Sequence, residues 1–143
     1  MTDKAEQFEL MGGREAVTKV TQSFYDKIYA DPWLSQFFSG IPRHHIESQQ
    51  VDFMQAALGG HNQYGGKTPP SAHKHINITE EVFSARQAFL MAAFKDSDAS
   101  PDLIERWLKI EDTFKRKVVK ASIEDCEMRY STEGIRDFKN PNA

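Results

Sequence analysis

Histidines, a pair of amides and one cysteine are the residues whose types and spacing could do chemistry. His73 and His75 lie in Pro69-Pro70-Ser71-Ala72-His73-Lys74-His75-Ile76-Asn77-Ile78, between aromatic-rich stretches of helical pattern. An imidazole there could ligate a metal, shuttle a proton or sit at the surface. A lone loop histidine does not decide among these. Gln49-Gln50 adjoin the apolar side of a helix-patterned segment. Buried amides need partners, so the pair suggests a polar ligand inside an apolar pocket. His44, His45 and Glu47 could open a metal site, since helical sites space ligands i, i+3 or i+4. His45 and Gln49 have that spacing, but Gln is a weak ligand, so a solvated helix start is favoured. Cys126 has no histidine near it in sequence and reads as a surface or packed thiol. Gly66-Lys67-Thr68 ends like a phosphate loop, but position 61 is His and a helix precedes the segment, so that reading is rejected.

The frame around these residues is ordinary for a globular chain. The length of 143 residues suits one domain with a sizeable core. Hydrophobic residues make 39% and charged residues 27%. Net charge is −3, from 18 basic and 21 acidic residues spread along the chain, which argues against nucleic acid as a partner. No apolar run approaches the roughly 18 residues of a membrane span. The polar start, Met1 to Gln7, shows no secretory signal, and a single cysteine excludes an internal disulfide. A cytoplasmic protein is expected. Aromatics reach 11%, enough to line a core or an apolar cofactor pocket.

The elements follow from periodicity and breakers. A short segment at about 4–11 ends at Gly12-Gly13. From Arg14, Val17, Val20, Phe24 and Ile28 form one helical stripe, with Tyr25 and Tyr29 beside it. Asp31-Pro32 breaks that helix, and Trp33 to Phe38 is a short aromatic turn. A helix is expected from Arg43 to Leu58, then a loop from Gly59 to Pro70. Thr79 caps a helix reaching about Lys95. Ser100-Pro101 starts the last helix, with the stripe Ile104, Trp107, Leu108, Phe114 and Val118, expected to run to about Met128. The tail from Arg129 to Ala143 is polar and reads as loose. The fold class is all-α, with a domain at 1–128 and a tail at 129–143.

Taken in order, these pieces resemble the truncated haemoglobins of group I. The matching text is Gly12-Gly13, Ala16-Val17, Phe24-Tyr25, Asp31-Pro32 and Phe37-Phe38. It continues with Gln50 to Phe53, Ala57-Leu58-Gly59-Gly60, Tyr64, Gly65 and Ala72-His73-Lys74. No single piece is specific; the ordered set is. It spans roughly residues 8–120.

The resemblance implies a two-over-two helical sandwich around haem b. It puts His73 at the proximal position, as protein ligand of the iron, with His75 as competitor. It puts Phe38 at the ring-clamping position, and Tyr25 and Gln50 at the distal positions that bond to an iron-bound diatomic. Ile46 takes the place of the distal histidine of longer globins, and Gln49 is a further distal candidate. Phe24, Phe53, Ile78 and Phe83 are expected pocket walls. His44, His45 or Gln49 could act as a sixth ligand. The implied function is binding of O2, NO and CO, with possible oxidation of NO to nitrate using an unidentified reductase. The rival readings are a haem-based sensor or electron-transfer module working through a partner, and a haem-free helical interaction domain.

Overall fold

In the computed structural model, residues 3–141 are described. Met1, Thr2, Asn142 and Ala143, the outer ends of the two expected units, lie outside them. The Asp3 carboxylate accepts from the Glu6 amide at 2.8 Å and caps α1 (Lys4–Leu10). Gly12 turns the chain at φ 111°, and a Cβ there would sit 2.6 Å from that of Ala16. Only glycine fits this turn. Helix α2 (Gly13–Ala30) then buries Val17, Val20, Phe24, Tyr25 and Ile28, the expected stripe. Asp31 ends it, and its carboxylate accepts the amides of Trp33 at 3.1 Å and Leu34 at 2.7 Å. That redirects the chain into a 3₁₀ turn, Leu34–Phe38.

Helix α3 (Arg43–Ala57) follows. Gln55 secures the loop beyond it, accepting from Arg14 at 3.0 Å and donating to the His61 carbonyl at 2.7 Å. Pro69 and Pro70, read from sequence as loop, open a short helix α4 (Pro69–His73), because proline at the first helical positions costs no hydrogen bond. Helices α5 (Glu80–Asp96) and α6 (Pro101–Val118) start at their expected caps. Thr79 accepts from Val82 at 3.1 Å, and Ser100 accepts from Leu103 at 3.2 Å.

Helix α2 packs across α3 and α5, and α4 lies on α6. Phe94 of α5 meets Trp107 of α6 edge to face at 5.5 Å. The result is an all-helical sandwich of two helices over two, with Ile28, Met54, Phe83, Phe94 and Trp107 at its core. No helix among the described residues is long and apolar enough to cross a membrane.

The C-terminal part corrects two expectations. Helix α6 ends at Val118 rather than near Met128, because its apolar stripe is exhausted there. Val119 is extended, and Lys120 donates its amide to the Ile78 carbonyl at 2.9 Å. The tail is docked rather than loose. Residues 119–138 form a strap alongside residues 72–78. The Glu127 amide bonds to Lys74, and the Arg136 amide to His75, both at 2.8 Å. Asn77 returns a bond to Arg136 at 2.8 Å, making an isolated parallel bridge between Ile76 and Arg136. Trp33 donates through Nε1 to the Phe138 carbonyl at 2.7 Å, and Phe37 stacks edge to face on Phe138 at 5.1 Å. The boundary at residue 128 thus falls inside a packed segment.

Candidate functional site

A cavity of about 610 Å³ lies between α2, α3, α4, α5 and α6. This is cofactor size. Its walls are mostly apolar: Phe24, Phe38, Ile46, Phe53 and Ile78, all expected there, with Ile28, Leu34, Met54 and Phe114 besides. Phe83 is the exception. It is buried in the core behind Phe114, ring centroids 6.1 Å apart, and is not part of the lining. It sits one layer back because Arg86, a turn later on α5, takes the place at the wall.

On the α4 side, His73 ends its helix with Nδ1 2.7 Å from the Pro69 carbonyl oxygen. That bond fixes Nδ1 as the donor and leaves Nε2 with its lone pair for a metal. The ring packs edge to face on Phe114 at 5.0 Å. Burial, reinforced by the charges of Arg86 and Lys120, holds the imidazole pKa down at about 4, so the ring is neutral near pH 7. Neutral imidazole is the ligating form. His75 also lines the cavity, but its Nε2 lies 3.3 Å from the Glu133 carboxylate. Its Nδ1 is buried without a partner among the described residues.

On the α2–α3 side, Tyr25, Gln49 and Gln50 line the same cavity. Neither amide nor the Tyr25 hydroxyl takes a hydrogen bond among the described residues. Tyr25 is held by its ring, edge to face with Phe24 at 5.0 Å and Phe38 at 5.8 Å. Burial raises its phenol well above the usual value, so the hydroxyl keeps its proton and can donate. The paired amides thus line a cavity whose walls are otherwise mostly apolar. His44 and His45 are both exposed, and of the two only His45 reaches the cavity lining. Among the described residues no group of three or more His, Cys, Asp or Glu could hold a metal by itself.

One pair escaped the sequence reading. Arg86 on α5 and Glu111 on α6 both line the cavity and join through a two-pronged bond, Nη1 to Oε2 at 2.5 Å and Nη2 to Oε1 at 3.1 Å. The guanidinium lies among the rings of Phe24, Phe83 and Phe114, 4.9–5.6 Å from their centroids. The signal was present: each falls on the apolar stripe of its helix, with opposite charges.

A flat apolar macrocycle with one imidazole from the protein suits this donor set. The walls are phenylalanine and aliphatic, one nitrogen is free, and the donors gather on the other pair of helices. The comparisons agree. The bacterial-like globin family profile matches residues 6–120. A group 1 truncated hemoglobin of Tetrahymena thermophila is 34% identical over 103 residues, 72% of this chain and 85% of the relative. The crystal structure of the truncated hemoglobin from Tetrahymena pyriformis in its Fe(III) form superposes with TM-score 0.69 at 34% identity, covering 79% of this chain and 97% of that one. The group II truncated hemoglobin of Bacillus anthracis shares the fold, with TM-score 0.72 at 22% identity. With an all-helical two-over-two sandwich enclosing a haem-sized cavity, the chain belongs to the bacterial-like globins, as a haem-containing truncated haemoglobin of group I that binds diatomic ligands.

Proposed function

We propose that this globin holds haem through His73 Nε2 and binds O2 under Tyr25, Gln50 and Gln49, with oxidation of NO to nitrate as its activity. The observation that carries the reading is the asymmetry of the cavity. A neutral imidazole with one committed nitrogen stands on α4, and unpartnered donors stand on α2 and α3. Haem, when bound, supplies reversible diatomic binding and one-electron redox chemistry.

The chain supplies the surroundings. The Pro69 carbonyl orients the His73 ring and fixes its tautomer. Phe38 and Phe53 flank the cavity with apolar rings. The Tyr25 hydroxyl donates to the diatomic, and the Gln50 and Gln49 amides add to it. Each such bond contributes roughly 1 kcal/mol or more, and about 1.4 kcal/mol is tenfold in affinity. Two or three donors give tight O2 retention and slow release. Slow release disfavours carriage and favours use of O2 in place. Converting NO and O2 into nitrate consumes one electron per turnover, which an external reductase would supply.

Spectra of the ferric, ferrous and CO-bound protein, followed by NO consumption with a reductant, test this reading. The expected result is a haem with histidine as its protein ligand that consumes NO catalytically when reduced. A protein that binds haem and O2 but consumes no NO beyond one equivalent retains the binding role and loses the enzymatic one.

A further inference from the structure

The family match stops at residue 120, yet the chain beyond it packs against the loop that carries His73 and adds Arg129 to the cavity lining. The strap's backbone bonds fall on Lys74, His75, Asn77 and Ile78, immediately after the histidine at 73. Two of its side chains reach further back. Lys120 donates through Nζ to the His73 carbonyl at 2.7 Å, and Arg129 donates through Nη1 to the Ala72 carbonyl at 3.3 Å. Apart from Lys120, the last residue of the matched region, the residues that hold the loop carrying the imidazole lie beyond that region.

Arg129 also lines the cavity. Glu133 grips its Nε at 2.9 Å and its Nη2 at 2.6 Å. The same carboxylate meets His75 at 3.3 Å, so the guanidinium plane is fixed. A guanidinium has five N–H groups, and these bonds take three. One N–H on each terminal nitrogen is left. Lys67 lines the cavity nearby in the chain's fold, with its ammonium 5.5 Å from the ring centroid of Tyr130, the strap residue after Arg129. Lys67 has no carboxylate partner among the described residues. Two cations and one carboxylate therefore meet at this edge, leaving a positive balance. Haem carries two carboxylates on one edge of an otherwise apolar disc.

We propose that the strap is part of the haem site: it fixes the His73 loop from behind and presents Arg129, beside Lys67, to the haem carboxylates. The proposal rests on haem as the cofactor and is independent of the NO chemistry.

Haem loss from the ferric holoprotein to an excess of a haem-scavenging apoprotein reads this out. Arg129→Met and Lys67→Met are each expected to speed loss by about tenfold, the scale of one charge-assisted bond. Arg129→Lys, which keeps the charge, recovers part of the retention. The same assay with haem dimethyl ester separates charge recognition from shape. The parent then loses the ester about as fast as the double variant Arg129→Met/Lys67→Met loses haem, and neither substitution speeds loss of the ester further. Loss rates within twofold of the parent for both variants overturn the proposal. So does equal acceleration with haem and with its ester, which makes Arg129 a folding residue only. Should Arg129→Met fail to fold by circular dichroism, Lys67→Met, on an exposed loop, carries the same comparison. The loop-fixing half is read from the iron–histidine stretching band of the ferrous protein. Lys120→Met is expected to shift or broaden it, and an unchanged band overturns that half. A parent chain that takes up no haem counts against the cofactor rather than the strap.

Discussion

Replacing Tyr25 by Phe keeps the ring and its edge contacts with Phe24 and Phe38, and removes only the hydroxyl. The expected outcome is O2 dissociation about tenfold faster or more, measured by stopped-flow displacement; an unchanged rate takes Tyr25 out of the distal role. His73→Gly is expected to abolish the axial histidine signature, with free imidazole restoring it. These proposed roles are only partly readable from the residues. Tyr25 sits beside an apolar stripe, where a tyrosine is usually packing. His73 on its own reads as a surface imidazole. What supports the proposed ligand role is the Pro69 carbonyl at Nδ1, a contact made by a helix that two prolines had hidden. Phe83 shows the opposite error, since being on an apolar face does not say which layer of the core a ring occupies.

Between α5 and α6, the Arg86–Glu111 pair is the costliest connection to cut. Arg86→Leu leaves the Glu111 carboxylate buried and unpaired, with Glu111 at 3% exposure. The expected loss is about 3–5 kcal/mol in urea denaturation of the apoprotein, and Glu111→Leu added to it recovers much of that. Equal losses in the single and double variants disprove the coupling. A smaller effect belongs to the α5 cap: Thr79→Ala is expected to cost about 1 kcal/mol. Helix starts were legible because Thr79 and Ser100 carry their capping chemistry in the side chain itself. The end of α6 was not. Polar residues beyond Val118 look like a solvated helix face, and only their bonds to residues 72–78 show otherwise.

For the molecule as a whole, acid acts in two stretches. Burial holds folded His73 and His75 at pKa values of about 4, against 6.5 for the free side chain. The unfolded chain therefore binds more protons in between, and stability falls as pH drops from 6.5 to 4. Glu133, held by the Arg129 guanidinium, stays ionised to about 2 against an ordinary 4.5. Its contribution is present above 4.5 and is lost as pH falls towards 2. The apoprotein's urea midpoint is expected to decline through both ranges, and Glu133→Gln to remove the lower one. A midpoint flat from pH 7 to pH 4 contradicts the burial of both imidazoles. Sequence periodicity reaches the helices that make the sandwich, because each buries a stripe of its own residues. It does not reach the strap, whose attachments are largely main-chain groups that every residue carries.

The bond from Trp33 Nε1 to the Phe138 carbonyl gives the molecule an internal gauge. The chain has two tryptophans, and the other, Trp107, lies deep between α5 and α6. In a Trp107→Phe background the remaining indole emission reports the seating of the chain's final stretch alone. Red-shifted emission with helicity intact would then catch that stretch lifting away before the bundle melts.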